Sequence, residues 1–221
     1  LAAHSLAHPP VALSVGSAGH LPLQASDLAP HEHKGFAVFT GPHEALTTLL
    51  PSRADVWAQD PASSRAVESI RDLVPPPRVI ADLCAGRGTK TRQLVEAFPQ
   101  ARILATDIDD ARRASLAEAF KGHARVRVIE PKGLALEHAG TVDLVLLDVP
   151  CSNSGVLARR PEAKYRFNLR NIESLAEMQR QLIADSIPLL ADRPGSAILY
   201  STCSLDPREN QAQRDWAAHW H

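Results

Sequence analysis

The chain has 221 residues, enough for one well-filled domain of about 150 residues plus a small appendage, and too few for two large domains. With 44% hydrophobic, 22% charged and 5% aromatic residues it has the profile of a folded globular protein, which excludes the disordered and fibrous classes. Lysine and arginine total 24 against 25 acidic residues, so no global positive excess marks a polyanionic partner, and any nucleic-acid surface must be local.

The first residue is Leu1 rather than Met, which suggests that the sequence begins inside a longer reading frame. Residues 1–56 are rich in Ala, His, Pro and Ser, with only short apolar stretches such as Phe36 to Phe39, and read as an N-terminal extension or the remnant of a small subdomain. His4, His8, His20, His31, His33 and His43 fall here without the helical spacing and acidic companion of a hydrolytic metal motif; they read as surface residues and no metal is expected. From residue 57 onward the pattern becomes regular, and 57–221 is taken as the main domain. A helix is predicted from about Ser63 to Leu73, stopped by Pro75, Pro76 and Pro77. Val79 to Cys84 has a buried-strand pattern, followed by a glycine turn and a helix over Thr89 to Ala97. Arg102 to Asp107 repeats the strand, with an Ala/Arg/Leu-rich helix running to about Phe120. Arg125 to Ile129 alternates as a third strand, and Val142 to Asp148 is an apolar run typical of the middle of a parallel sheet. Residues 171–190 read as a long helix and Ser196 to Ser201 as a fifth strand.

Strands alternating with helices imply an α/β fold with a doubly wound, mostly parallel sheet, in which ligands bind beyond the carboxyl ends of the strands. No apolar run approaches the ~20 residues of a membrane helix, and no leader resembles a signal peptide. Cys84, Cys151 and Cys203 are too few and too dispersed for a disulfide framework or a zinc site; they read as reduced thiols of a soluble, cytoplasmic and monomeric protein.

The residues that follow each strand are therefore the informative ones. After the first strand, Cys84, Ala85, Gly86, Arg87, Gly88, Thr89 and Lys90 form a turn whose glycines let the backbone approach a ligand, although such a turn also occurs without one. It is not a phosphate-binding P-loop, because Thr89 stands where that motif has glycine before the lysine. Asp107, ending the second strand, lies near the ~20-residue offset of a ribose-binding acid, and is otherwise a helix N-cap. Asp148-Val149-Pro150-Cys151 follows the fourth strand and Ser201-Thr202-Cys203-Ser204 the fifth, so two thiols sit at neighbouring strand ends, flanked by turn residues. A basic cluster of Arg159, Arg160, Lys164, Arg166 and Arg170, with Tyr165 and Phe167 interleaved, is either a solvated face or the local nucleic-acid surface.

These blocks resemble the motifs of the RsmB/Sun-type RNA (cytosine-5) methyltransferases. Asp82 to Thr91 is similar to D-x-C-A-A-P-G-G-K-T, Asp148 to Lys164 to D-A-P-C-S-G-x-G followed by an arginine pair and a lysine, and Tyr200 to Asn210 to Y-x-T-C-S-x-x-P-x-E-N. Gln59-Asp60-Pro61-Ala62-Ser63 resembles the Q-D-x-x-S element ahead of that family's cofactor domain. The resemblance covers roughly residues 57–215. It implies a Rossmann-like class I fold, S-adenosylmethionine as cofactor, and an RNA substrate, rRNA or tRNA, presented as an unpaired or flipped-out cytosine. It also implies Cys203 as the nucleophile, Cys151 as the thiol that assists product release, Asp148 facing base and cofactor, and Lys164 lining the active site. The cofactor contacts carry over to Cys84 through Lys90, Asp107 and Asp148, and the RNA contacts to Arg159, Arg160 and Lys164.

The chain departs from the pattern at Arg87, Thr89 and Asn153, where the family has proline, glycine and glycine. It carries Glu130-Pro131-Lys132-Gly133 in place of a Gly-Asp pair whose carboxylate meets adenine, and it ends about ten residues past Asn210, before the family's final strand pair, so a truncated or shortened sheet is expected. An active RNA cytosine-5 methyltransferase is the leading reading. A non-catalytic RNA-binding or assembly protein that keeps the fold, and a methyltransferase of DNA or another acceptor, remain open.

Overall fold

The structure, a computed structural model, describes residues 10–15, 27–52, 56–73, 75–165 and 167–220. The expectations attached to His4, His8, His20 and Arg166 fall outside the described residues.

The main sheet has five strands, β5 (Val79–Asp82), β6 (Arg102–Ala105), β7 (Val126–Val128), β8 (Leu144–Asp148) and β9 (Ala197–Ser201), in the order β7-β6-β5-β8-β9 with every neighbouring pair parallel. Parallel pairing of successive strands needs crossovers, and helices supply them: α3 (Thr89–Ala97), α4 (Asp110–Ala119), α5 (Pro131–His138) and α6 (Leu169–Ser186). Successive residues of a strand face opposite sides, and here both sides are apolar. Ile80, Ile103, Leu144 and Leu146 pack with Leu94, Phe98, Leu116 and Phe120 on one face. Val79, Ala81, Leu104, Val145 and Leu147 pack with Leu134, Ile183 and Leu189 on the other. This two-sided burial explains the unbroken apolar run of β8. The strand order reverses between β5 and β8, so the loops after these two strands diverge and leave a crevice.

Local chemistry sets the helix boundaries. α2 (Pro61–Glu68) starts on Asp60, whose Oδ1 accepts the Ala62 N–H at 2.8 Å, with Pro61 in the first turn where a missing N–H costs nothing. It ends at Glu68 rather than Leu73, residues 69–72 continuing as turns. Asn168 caps α6, accepting the Asn171 N–H at 3.0 Å, and Pro188 converts the end of the expected 171–190 helix into a 3-10 turn. The helices α5 and α7 (Gln211–Trp220) were not expected from the sequence.

The N-terminal part is more regular than its composition suggests. β1 (Val11–Val15) pairs antiparallel with both β3 (Phe36–Phe39) and β4 (Val56–Ala58), and β2 (Leu28–Pro30) pairs with β3, giving a sheet ordered β2-β3-β1-β4. Leu13, Phe39 and Val56 form its apolar cluster with Leu46 of α1 (His43–Ser52). β4 runs across the expected boundary at residue 57. The sheet is tied to the main domain by His33, half-buried against Phe36, whose Nε2 lies 3.2 Å from both carboxylate oxygens of Glu68. It is tied again by Trp57 Nε1 donating to Gln59 Oε1 at 2.9 Å, and Gln59 Nε2 to Gln93 Oε1 at 3.0 Å. Among the described residues, no helix is long and apolar enough to cross a membrane.

Candidate active site

The crevice at the carboxyl ends of β5, β6, β8 and β9 gathers most of the residues singled out by sequence. The β5–α3 turn is left-handed at both glycines, Gly86 with φ 58° and Gly88 with φ 88°. A Cβ at Gly88 would lie 2.5 Å from the Phe120 ring, so this glycine lets the turn close onto the residues that follow α4, whereas a Cβ at Gly86 would meet nothing within 4 Å and the space above it is open. Asp107 Oδ2 accepts the Gly86 N–H and Oδ1 the Asp109 N–H, both at 2.9 Å. The carboxylate thus anchors the turn; the N-cap of α4 is Asp109, not Asp107. Arg87 is exposed on the rim.

Beneath the turn Asp82 is wholly buried. Its Oδ2 accepts the Thr91 hydroxyl at 2.7 Å, while Oδ1 and the hydroxyl of Thr106, at the end of β6, are buried with no hydrogen-bond partner among the described residues. Burial pushes the Asp82 carboxyl up to about 7, with the charges of Asp148 and Asp107 adding to the rise and the Thr91 bond opposing it. Burial likewise pushes the Cys84 thiol up to about 12, which disfavours its thiolate.

Asp148 ends β8 opposite Ser201 of β9. Its Oδ1 accepts the Ser201 hydroxyl at 2.7 Å and its Oδ2 the Lys90 ammonium at 2.8 Å; Lys90 also donates to Ser63 at 2.7 Å. Lys90 therefore belongs with Asp148 as much as with the turn that carries it, and Ser63, at the serine of the Q-D-x-x-S element, completes the contact.

Cys151 and Cys203 are free thiols with their sulfurs 3.1 Å apart. The Cys203 sulfur lies 3.1 Å from two acceptors, the Cys151 sulfur and Asn153 Oδ1, and its single S–H serves one at a time; the contact between the thiols holds Cys151 below the ordinary range and, together with burial, pushes the Cys203 thiol up. The two loops are fastened by a buried set that the sequence did not single out. Glu209, with no exposed surface, accepts the Ser152 N–H at 2.9 Å, the Gln179 amide at 3.1 Å and the Ser204 hydroxyl at 2.5 Å. Gly155 donates its N–H to the Cys203 carbonyl at 2.9 Å, and a Cβ there would stand 2.6 Å from that oxygen. The Glu-Asn pair of the third motif and the glycine of the second were visible in the sequence; the contact between them was not.

The basic cluster divides. Arg159 forms an ion pair with Asp60. Arg160 is exposed, and its charge lowers the Cys203 thiol against the other influences on it. Lys164 is exposed, with its ammonium 5.0 Å from the centre of the Tyr165 ring.

The profile described as 16S rRNA methyltransferase RsmB/F matches residues 73–219. The chain is 34% identical over 220 residues to Ribosomal RNA small subunit methyltransferase B of Proteus mirabilis, covering 93% of this chain and 51% of that protein. Across such curated relatives it spans between 32% and 51% of their length. Among solved structures, a methyltransferase homologue from Pyrococcus horikoshii superposes with a TM-score of 0.75 at 23% identity, over 99% of this chain and 72% of that one, which shows the fold. NSun6 from Pyrococcus horikoshii with SFG superposes with a TM-score of 0.62 at 27% identity, over 75% of this chain and 42% of that one. The parallel sheet is that of the Rossmann-like class I methyltransferases, and the chain belongs to the RsmB/F family of 16S rRNA methyltransferases.

Proposed function

We propose that this chain transfers a methyl group from S-adenosylmethionine to carbon 5 of a cytosine in ribosomal RNA, with Cys203 attacking the base and Cys151 assisting its release. The observation that carries this reading is the pair of free thiols 3.1 Å apart at the ends of β8 and β9, beside the Asp148–Lys90 ion pair.

The residues around the β5–α3 turn fit the cofactor. Open space stands above Gly86, Asp107 keeps a second lone pair on each oxygen for ribose hydroxyls, and the unpartnered oxygens of Asp82 and Thr106 lie at the strand ends below. The Pyrococcus horikoshii structure holds SFG, an analogue of S-adenosylmethionine. When bound, S-adenosylmethionine supplies an electrophilic methyl group; the protein's task is to make carbon 5 nucleophilic. Addition of a thiolate to carbon 6 does this by turning the ring into an enamine. As Cys203 attacks, its S–H turns to the Cys151 sulfur 3.1 Å away and passes its proton there, Cys151 being the thiol of the pair held below the ordinary range. Once carbon 5 carries the methyl group its hydrogen leaves as a proton to solvent, the electron pair restores the ring double bond and the carbon 6–sulfur bond breaks; Cys151 then returns the proton it holds to the departing Cys203 thiolate. Asp148, held by Ser201 and Lys90 and about one-third exposed, faces the base's polar edge. Because the thiols sit at the end of a buried sheet, the target cytosine enters unpaired or flipped out. Arg160 and Lys164 are the basic groups placed for phosphate, with Arg159 engaged by Asp60. Residues 57–221 carry this chemistry, in the cytoplasm where ribosomal RNA lies.

The comparisons lend no support to an inactive, assembly-only relative. A second reading, in which Cys151 is the attacking thiol, draws on its favoured ionised form. Transfer of tritiated methyl to a 16S rRNA transcript separates the two. Cys203→Ala is expected to lose transfer on the order of 10³-fold or more. Cys151→Ala is expected to transfer the methyl group and accumulate a protein–RNA complex that survives denaturation. Full transfer by Cys203→Ala would overturn the assignment.

A further inference from the structure

Asn153, two residues after Cys151, has φ 58° and ψ 23°, and among the described residues it is the one non-glycine with positive φ. The left-handed region is strained for side chains other than glycine, and asparagine tolerates it best. Glycine would serve the backbone better here, and the motif this loop resembles has glycine. What asparagine adds is its amide. Nδ2 donates to the Cys151 carbonyl at 3.1 Å, and Oδ1 accepts the Cys203 thiol at 3.1 Å. One side chain thus fixes itself to the first cysteine loop and turns its carbonyl oxygen toward the thiol of the second.

We propose that Asn153 is a positioning residue that holds Cys203 as a thiol in the substrate-free protein and frees it when the amide turns. A carbonyl oxygen stabilises S–H and repels S⁻, so the observed orientation cannot accompany the thiolate. Turning the amide plane by about 180° gives up the bond to the Cys151 carbonyl and exchanges oxygen for Nδ2–H, a donor suited to S⁻, without moving the backbone. The other groups facing Cys203 are Cys151 and Asp148, whose charges favour its proton, and Arg160, which opposes it; Glu209 acts on Cys151. None of these reverses its sign by rotating about a single bond, and Asn153 does. The proposal rests on the reading of Cys203 as nucleophile.

The test uses the full chain in a Cys151→Ala background, where Cys203 titrates alone. Iodoacetamide alkylation of Cys203 is followed against pH by peptide mass mapping, with and without Asn153→Gly and Asn153→Asp. Asn153→Gly, which relieves the backbone, is expected to move the Cys203 profile to lower pH and to raise alkylation at pH 7 on the order of threefold. Asn153→Asp is expected to move it to higher pH. An identical profile in all three overturns the proposal. Mapping the covalent adduct with RNA in the chain that keeps Cys151 separates the two failures. An adduct on Cys151 alongside a shifted Cys203 profile removes the nucleophile reading and leaves the amide's hold on Cys203 intact. An adduct on Cys203 alongside an unshifted profile removes the proposal alone.

Discussion

Asp82 is wholly buried at the end of β5 with one carboxylate oxygen on Thr91 and the other without a partner among the described residues. Its pKa of about 7 in the folded chain stands above the ordinary 3.8. Between those two values the folded state keeps a proton that the unfolded state has released, so stability falls as pH rises through the window. Each unit is worth about 1.4 kcal/mol. Asp82→Asn keeps an acceptor for Thr91 and removes the buried charge. Urea denaturation is therefore expected to show the variant gaining on the order of 2 kcal/mol relative to the wild type between pH 5 and pH 8. Equal slopes against pH would show that Asp82 is ionised throughout. The same reasoning sets Cys84 apart from the other two cysteines: all three thiols are partly buried, and only Cys151 and Cys203 have a thiol partner to share a proton with.

At the scale of elements, the site depends on how closely the loops after β8 and β9 approach. Gly155 makes that approach possible. Gly155→Ala would drive a Cβ to 2.6 Å from the Cys203 carbonyl, so the Cys203 loop must shift. Single-turnover methyl transfer is expected to fall roughly 10²-fold, and folding stability by about 1–3 kcal/mol, while calorimetric titration shows unchanged S-adenosylmethionine affinity because the β5–α3 turn is untouched. Weakened cofactor binding with normal transfer would contradict this division. The five strands of the main sheet were legible because four are mainly apolar runs closed by a polar turn and β7 alternates polar and apolar residues, and the juxtaposition of Cys151 and Cys203 followed from strand order. The helix α5 was not legible: it buries Leu134 alone and exposes Leu136, leaving no apolar periodicity to read. The helix α7 buries only Gln213. The N-terminal strands are three to five residues long and find their partners through antiparallel pairing across long connections. Lys90 read as part of the cofactor turn because its partner Asp148 is 58 residues away, and the burial of Glu209 between two loops is likewise a product of packing.

For the molecule as a whole, a net charge of −1 means that the proposed grip on RNA falls to a few residues, and one of the candidates, Arg159, is already engaged by Asp60. The reversal of strand order between β5 and β8 separates the two tasks. In the proposed function the loops of β5 and β6 form the cofactor side, with Gly86, Asp82 and Asp107, and those of β8 and β9 the base side, with Asp148, Cys151 and Cys203. Lys90 crosses from one to the other. The central claim, that Cys203 bonds to cytosine, is tested most directly with a 16S rRNA transcript carrying 5-fluorocytidine, whose fluorine blocks the loss of the carbon 5 substituent that precedes release. After incubation with S-adenosylmethionine and digestion with protease and nuclease, mass spectrometry is expected to find the nucleotide on the peptide containing Cys203. A nucleotide on the Cys151 peptide, or on neither, would contradict the account.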